Sequence, residues 1–250
     1  MNKDLVPVYG LLAVFGVLIV KIFNTSFKGG KFTCDKYILN TYLYILLSLV
    51  IISLQNIILE QKNVGLDMIF GNFKGWIGLI LLLVIIFGLL IFLMSVNPQN
   101  VLLKHSIWLL FILALGFLAY PTYLKTINEN TVVATIMSTI GILIIFTIVA
   151  FLKPEWISLS WGPTLLFLLM GGLVGELCFY FFNRNSNKKH NRKMFAYFFI
   201  FLFTLFILYD TKKIQVNAKT CKEATVDYIN ESLGIVLDAL NLFQNLAEVQ

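Results

Sequence analysis

Charge is scarce in this chain of 250 residues: Asp, Glu, Lys and Arg together make up 13%, about half of what an ordinary soluble domain carries. A water-facing surface cannot be built on so few charges, and disorder needs more charge still. Cysteine is scarce too. Cys34, Cys178 and Cys221 are the only three, which excludes a secreted disulfide scaffold. A Cys34–Cys221 bridge requires both loops on one side of a membrane, and the sequence favours free thiols. Arginine occurs twice, at Arg184 and Arg192, beside 17 lysines, and the net charge of +6 is spread over the loops. No basic stripe with interleaved aromatics occurs, so no nucleic-acid partner is expected, and the lysines read as anchors at a membrane surface. The two histidines, His105 and His190, fall in separate polar segments. They form no metal pair at helical spacing and read as solvated loop residues. Gly29-Gly30-Lys31 lacks the first half of a phosphate-binding loop, and no hydrolase or protease signature is present. The expectation is a protein that is not an enzyme and carries no cofactor.

What the chain has is long apolar runs, with 59% hydrophobic residues. A spanning helix needs roughly 20 mostly apolar residues, whereas a transmembrane barrel shows short alternating segments. The fold class is therefore an all-α, polytopic membrane helix bundle. Seven apolar runs are evident: Leu5–Phe23, Tyr37–Leu59, Trp76–Val96, Ile107–Leu124, Thr131–Leu152, Trp156–Phe182 and Phe195–Tyr209. An eighth, Tyr228–Val249, is amphipathic. The first run reads as a retained helix more than as a signal peptide, because no small-residue cleavage site follows it cleanly. Asn24–Lys28 reads as a plain loop, and the sixth run is long enough to tilt or break at Pro163. The connections Asn97–Ser106, Lys125–Asn130 and Lys153–Glu155 are short, Asn183–Lys193 is basic, and Asp210–Asp227 is the other sizeable loop. A single compact domain is expected. If all eight runs span, the basic residues divide evenly between the two sides, and the positive-inside rule gives no orientation.

The informative residues are acids near or within the membrane. An Asp at a helix centre costs about 2.5–3.5 kcal/mol on an insertion scale, so such groups face the bundle interior and carry function. In the last run, Asp227, Glu231, Asp238, Asn241, Asn245 and Glu248 form one stripe, with Gly234 filling its gap. An interfacial helix lying flat would carry Lys or Arg on its polar face, and this stripe has none. That favours a buried helix beside a wet pathway. Asp210 ends the seventh run, where an interfacial pairing with Lys213 is the competing reading. Antiparallel packing of the last two helices could bring Asp210 and Asp238 together. Two close carboxylates out of water cannot both ionise cheaply; they share a proton, and they attract a hard cation such as calcium when both are charged. Asp210 and Asp238 are thus the candidate proton and metal site.

Tyr209-Asp210-Thr211, then Asp227-Tyr228-Ile229, then Leu237-Asp238-Ala239-Leu240-Asn241-Leu242-Phe243 resemble the closing motifs of the Bax-inhibitor (TMBIM, or lifeguard) family. Tyr37–Ile51, Trp76–Leu93 and Thr131–Gly162 look like further family helices by hydropathy. The resemblance covers roughly residues 37–249. It implies a seven-helix core with the last helix central, at residues 37–250, preceded by an extra helix and loop at residues 1–36. It also implies a calcium leak gated by protonation of an aspartate pair, carried over to Asp210 and Asp238, in the endoplasmic reticulum or another internal membrane, with suppression of cell death.

Some features depart from the family. An arginine latches the acid pair in a bacterial member, and no arginine precedes Arg184 here. The fourth run lacks the Glu found in many relatives; Glu176 lies instead in the sixth, beside Gly171-x-x-x-Gly175, where a buried, protonated packing role is the alternative to function. The leading expectation is a pH-sensitive cation leak channel. Asp210 and Asp238 would form the ion site, and Glu231, Asn241 and Asn245 would line the path. Its partners would be the lipid bilayer, calcium and protons. The rival is a non-conducting membrane regulator that binds cell-death or channel proteins. A structural membrane component, of viral origin, is a third reading, since the Lys-over-Arg bias fits an AT-rich genome.

Overall fold

The computed structural model describes residues 6–65, 76–182 and 188–250. Among these, eight α-helices follow one another: α1 (Val6–Ser26), α2 (Tyr37–Gln61), α3 (Trp76–Ser95), α4 (Val101–Asn128), α5 (Val132–Leu152), α6 (Trp161–Phe182), α7 (Lys188–Lys219) and α8 (Tyr228–Val249). Seven of them, α1 to α7, are long and apolar enough to cross a membrane. Large apolar side chains such as Val17, Val84, Ile91, Val133, Phe167 and Phe201 lie exposed along them. In water such a surface would aggregate; facing lipid tails, it is in its proper solvent.

Helices run further than the apolar runs do. α4 starts at Val101 instead of Ile107, continues through Pro121, and ends at Asn128. α7 carries on past Asp210 to Lys219, so the expected loop at residues 210–227 shrinks to the segment after Lys219. Hydropathy reports the thickness of the hydrocarbon, whereas a helix persists as long as its backbone is satisfied. Of the expected basic loop Asn183–Lys193, residues 183–187 lie outside the described residues, and helix resumes at Lys188. The sixth run breaks before Pro163. A 3₁₀ turn, Pro154–Trp156, precedes α6, and Pro163 falls in the first turn of α6, where its missing N–H is no loss. Asn24–Lys28 is not a plain loop. α1 reaches Ser26, and the two-residue strands β1 (Phe27–Lys28) and β2 (Lys31–Phe32) pair as a hairpin. Its turn needs positive φ at both central positions, which Gly29 and Gly30 supply at 60° and 77°.

The chain divides into two compact units, where its short connections had suggested one domain. Residues 1–124 and 218–233 form the first, and residues 125–217 and 234–250 the second. The discontinuity explains the difference: α8 begins in one unit and ends in the other, which connection length alone cannot reveal. In the first unit α1 packs along α2. Its interior holds an aromatic cluster in which Tyr44 meets Trp108 edge-on at 5.7 Å and Phe32 meets Tyr228 edge-on at 5.1 Å. In the second unit the core is Leu165, Phe199, Leu202, Phe203, Ile207 and Leu242. Phe199 and Phe203 of the Phe-rich α7 thus fill that unit, while Phe198 and Phe201 are exposed. From Tyr228 to Val249 no residue of α8 is exposed.

Candidate functional site

Asp210 and Asp238 both belong to the second unit, on α7 and α8. The motif around Asp210 is seated by close approaches. A Cβ at Gly162 of α6 would lie 2.6 Å from the Tyr209 hydroxyl oxygen, so Tyr209 occupies the space that the glycine leaves. The Asp210 carboxylate presses on Gly234 of α8 in the same way, with its Cγ 2.7 Å from where a Cβ would stand. Thr211 is fully buried. The glycine in the polar stripe of α8 is therefore the notch that admits Asp210.

Asp238 stands one helical turn beyond Gly234, and a helical side chain tilts back toward the N-terminus. Its carboxylate is thereby directed to the place that Asp210 reaches. The carboxylate of Asp238 is enclosed, at 5% exposure, and Asp210 is the charged group that acts on it. Its Oδ2 is buried with no hydrogen-bond partner among the described residues. Burying a polar oxygen without a partner costs about 1–3 kcal/mol, more if it is charged. Such a group calls for a proton or a cation to complete it. Among the described residues no three His, Cys, Asp or Glu side chains gather to hold a metal.

The other stripe residues have separate engagements. Asn241 and Asn245 donate their side-chain amides to the carbonyls of Leu237 and Asn241, each at 2.8 Å. Both are half-buried. Glu231 belongs to the first unit, where its Oε2 accepts a hydrogen bond from Tyr37 at 3.2 Å. Glu248 pairs with Lys125 at 3.0 Å. Glu176, on α6, is half-buried, with Arg192 and Glu248 the charges that act on it. The close helix approach expected at Gly171 and Gly175 occurs instead at Gly172, where a Cβ would stand 2.6 Å from the Phe198 ring.

Two expectations in the first unit are overturned. Lys104 and His105 sit on α4, not in a solvated loop. Lys104 is fully buried, its ammonium 2.7 Å from Asp227 Oδ2, 3.0 Å from Asn230 Oδ1 and 2.7 Å from the Leu93 carbonyl. The His105 ring is held between the Tyr44 hydroxyl and the Val101 carbonyl, each at 2.7 Å. The side chain of His190 lies outside the described residues. Cys34 and Cys221, expected as thiols, are joined in a disulfide with their Cα atoms 5.9 Å apart, while Cys178 is free and exposed. Sequence reasoning had no way to find Lys104, because the acid that makes its burial tolerable is far along the chain.

A polytopic helical membrane protein, with a buried aspartate on its last helix, is the class that this fold defines. The family model described as inhibitor of apoptosis-promoting Bax1 matches residues 34–249. The chain belongs to that Bax-inhibitor family: it is a multi-pass membrane protein of a family that suppresses cell death. The match starts after α1, which lies in front of it. No curated protein and no solved structure matches the chain.

Proposed function

We propose that the protein is a pH-sensitive cation leak in an internal membrane such as the endoplasmic reticulum, with calcium the permeant ion and the Asp210–Asp238 pair its gate. The observation that carries this reading is the enclosure of Asp238, an oxygen of which has no partner, next to Asp210. At low pH the pair holds protons and carries little charge. As pH rises it gains negative charge and becomes a site for a hard cation, so protons and calcium compete for the same oxygens. Asn241 and Asn245 lie one and two turns further along α8, and their half-buried amide oxygens are the next acceptors on the path. No step of this scheme is a chemical reaction, and the protein acts without a cofactor.

Calcium flux into vesicles containing the purified chain tests the proposal. Flux should exceed that of empty vesicles, should change with pH, and should lose both properties in Asp210→Asn and Asp238→Asn. If both variants leak and respond to pH as the parent does, the aspartate pair is not the gate. The family description favours one other reading, a regulator that binds cell-death or channel proteins without conducting. Flux equal to that of empty vesicles at every pH would select it.

A further inference from the structure

The first unit contains a covalent bond that the leak reading does not use. Cys34 follows the β1–β2 hairpin, and Cys221 stands in the connection between α7 and α8. We propose that the Cys34–Cys221 disulfide is a redox-reversible staple. It forms on the oxidising side of the membrane and holds the residue 220–227 connection so that Asp227 meets Lys104.

The connection is otherwise lightly held. Lys222, Glu223, Ala224 and Thr225 are exposed, and the Glu223 carbonyl accepts one hydrogen bond from Gln99 at 2.9 Å. Just beyond lies a demanding contact. Asp227 caps α8, its Oδ1 accepting the Asn230 backbone N–H at 3.0 Å, while its Oδ2 neutralises an ammonium with no exposure at all. A buried lysine cannot exchange its lost partner for water, so the placing of Asp227 matters more than that of a surface acid. Tyr228, the next residue, donates its hydroxyl to the Thr33 carbonyl, beside Cys34. The staple therefore joins the two stretches of chain that the first turn of α8 must bring together.

The bond also orients the protein. Disulfides form and persist in the endoplasmic reticulum lumen or outside the cell, and the cytosol keeps thiols reduced. The connections holding Cys34, Gln99 and Cys221 are tied to one another within this unit, so they face the oxidising side together.

The bond is within reach of a reductant. Both cysteines are half-buried and flanked by exposed Asp35, Lys36, Thr220 and Lys222. A thiolate of a dithiol reductant attacks one sulfur, giving a mixed disulfide and one protein thiol. Its second thiol then displaces the other protein sulfur. Two electrons and two protons pass to Cys34 and Cys221, and the reductant leaves as a cyclic disulfide.

The test uses the full chain with Cys178→Ser, in sealed endoplasmic reticulum microsomes. A maleimide carrying polyethylene glycol, added after unfolding in detergent, should find no free thiol before reduction and two after it. A membrane-impermeant phosphine should reduce the bond only once the microsomes are opened. Hydrogen exchange on the purified, still folded protein should show the amides of residues 222–231 losing at least tenfold protection on reduction, and regaining it on reoxidation. Free thiols in untreated microsomes, reduction in sealed ones, or unchanged exchange at residues 222–231 would each overturn the proposal. Reversible reduction of the native protein avoids dependence on Cys34→Ser or Cys221→Ser variants that fail to fold.

Discussion

Replacing Lys104 by Met removes the charge from a fully buried side chain while keeping most of its length. The parent ammonium has three close partners: Asp227 Oδ2 at 2.7 Å, Asn230 Oδ1 at 3.0 Å and the Leu93 carbonyl at 2.7 Å. Breaking a buried ion pair from one side costs about 3–5 kcal/mol, mostly because the surviving charge is left uncompensated. Asp227 is not wholly sealed. It keeps 14% exposure and its bond from the Asn230 N–H, so the low end of that range, about 3 kcal/mol, applies to it. The Leu93 carbonyl loses a charged donor and adds about 1 kcal/mol. The sum is about 4 kcal/mol, or a fall in Tm of roughly 8–16 °C for a chain of this size. The assay is thermal unfolding in one detergent at one scan rate, followed by tryptophan fluorescence. Lys104→Met with Asp227→Asn should lose well under the sum of the two single changes, because the pair fails together. A shift below 2 °C for Lys104→Met, or simple additivity in the double variant, would refute the assignment of Lys104 and Asp227 as a structural unit.

Other substitutions separate packing from gating. Gly234→Ala gains about 1 kcal/mol of helix propensity elsewhere, but here its methyl group meets the Asp210 carboxylate. It should lower stability by about 1–3 kcal/mol, read as Tm, and abolish the pH response of calcium flux; a more stable variant with parental flux would contradict the notch. Asp238→Asn removes a buried like-charge neighbour of Asp210 and should leave Tm at neutral pH equal or higher while flux falls; a loss of several degrees would make Asp238 a structural acid instead. Calcium should raise the Tm of the parent more at pH 8 than at pH 5, since protons compete for the pair; equal shifts at both would argue against calcium binding there. Lys125→Met loses an ion pair with Glu248 in which both side chains are 34% exposed, so it should cost no more than about 1 kcal/mol, far below Lys104→Met in the same unfolding assay.

The sequence announces the spans and the closing motif because both are local. Apolar runs are read residue by residue, and Tyr209-Asp210-Thr211 and Leu237–Phe243 are contiguous. What it hides depends on distant partners. Lys104 looks like a loop cation until Asp227 is placed beside it, and His105 looks solvated until Tyr44 is. The disulfide likewise joins residues 187 apart in sequence. Helix ends were misjudged for a related reason. Polar residues at the ends of α4 and α7 are read as loop by hydropathy, yet Lys104 and Lys212 have carbonyls to satisfy them, at Leu93 and Pro154.

The stripe on α8 carries the same lesson into the site. By periodicity Asp227, Glu231, Asp238 and Glu248 are equivalent, four acids on one helical face. Their partners divide them. Asp227 has Lys104, Glu231 has the Tyr37 hydroxyl, and Glu248 has Lys125. Each of these acids is compensated, and each fastens an end of the helix to the unit it belongs to. Asp238 is the most enclosed of the four, and the charge acting on it is another carboxylate. A fold that could supply three acids with donors, and whose glycine notch instead admits a second acid toward the fourth, is maintaining an unfavourable arrangement in its own interior. Stability alone gives no reason for that. Under the proposed leak function, a proton or a cation that comes and goes supplies the reason, since it completes Asp238 only while bound.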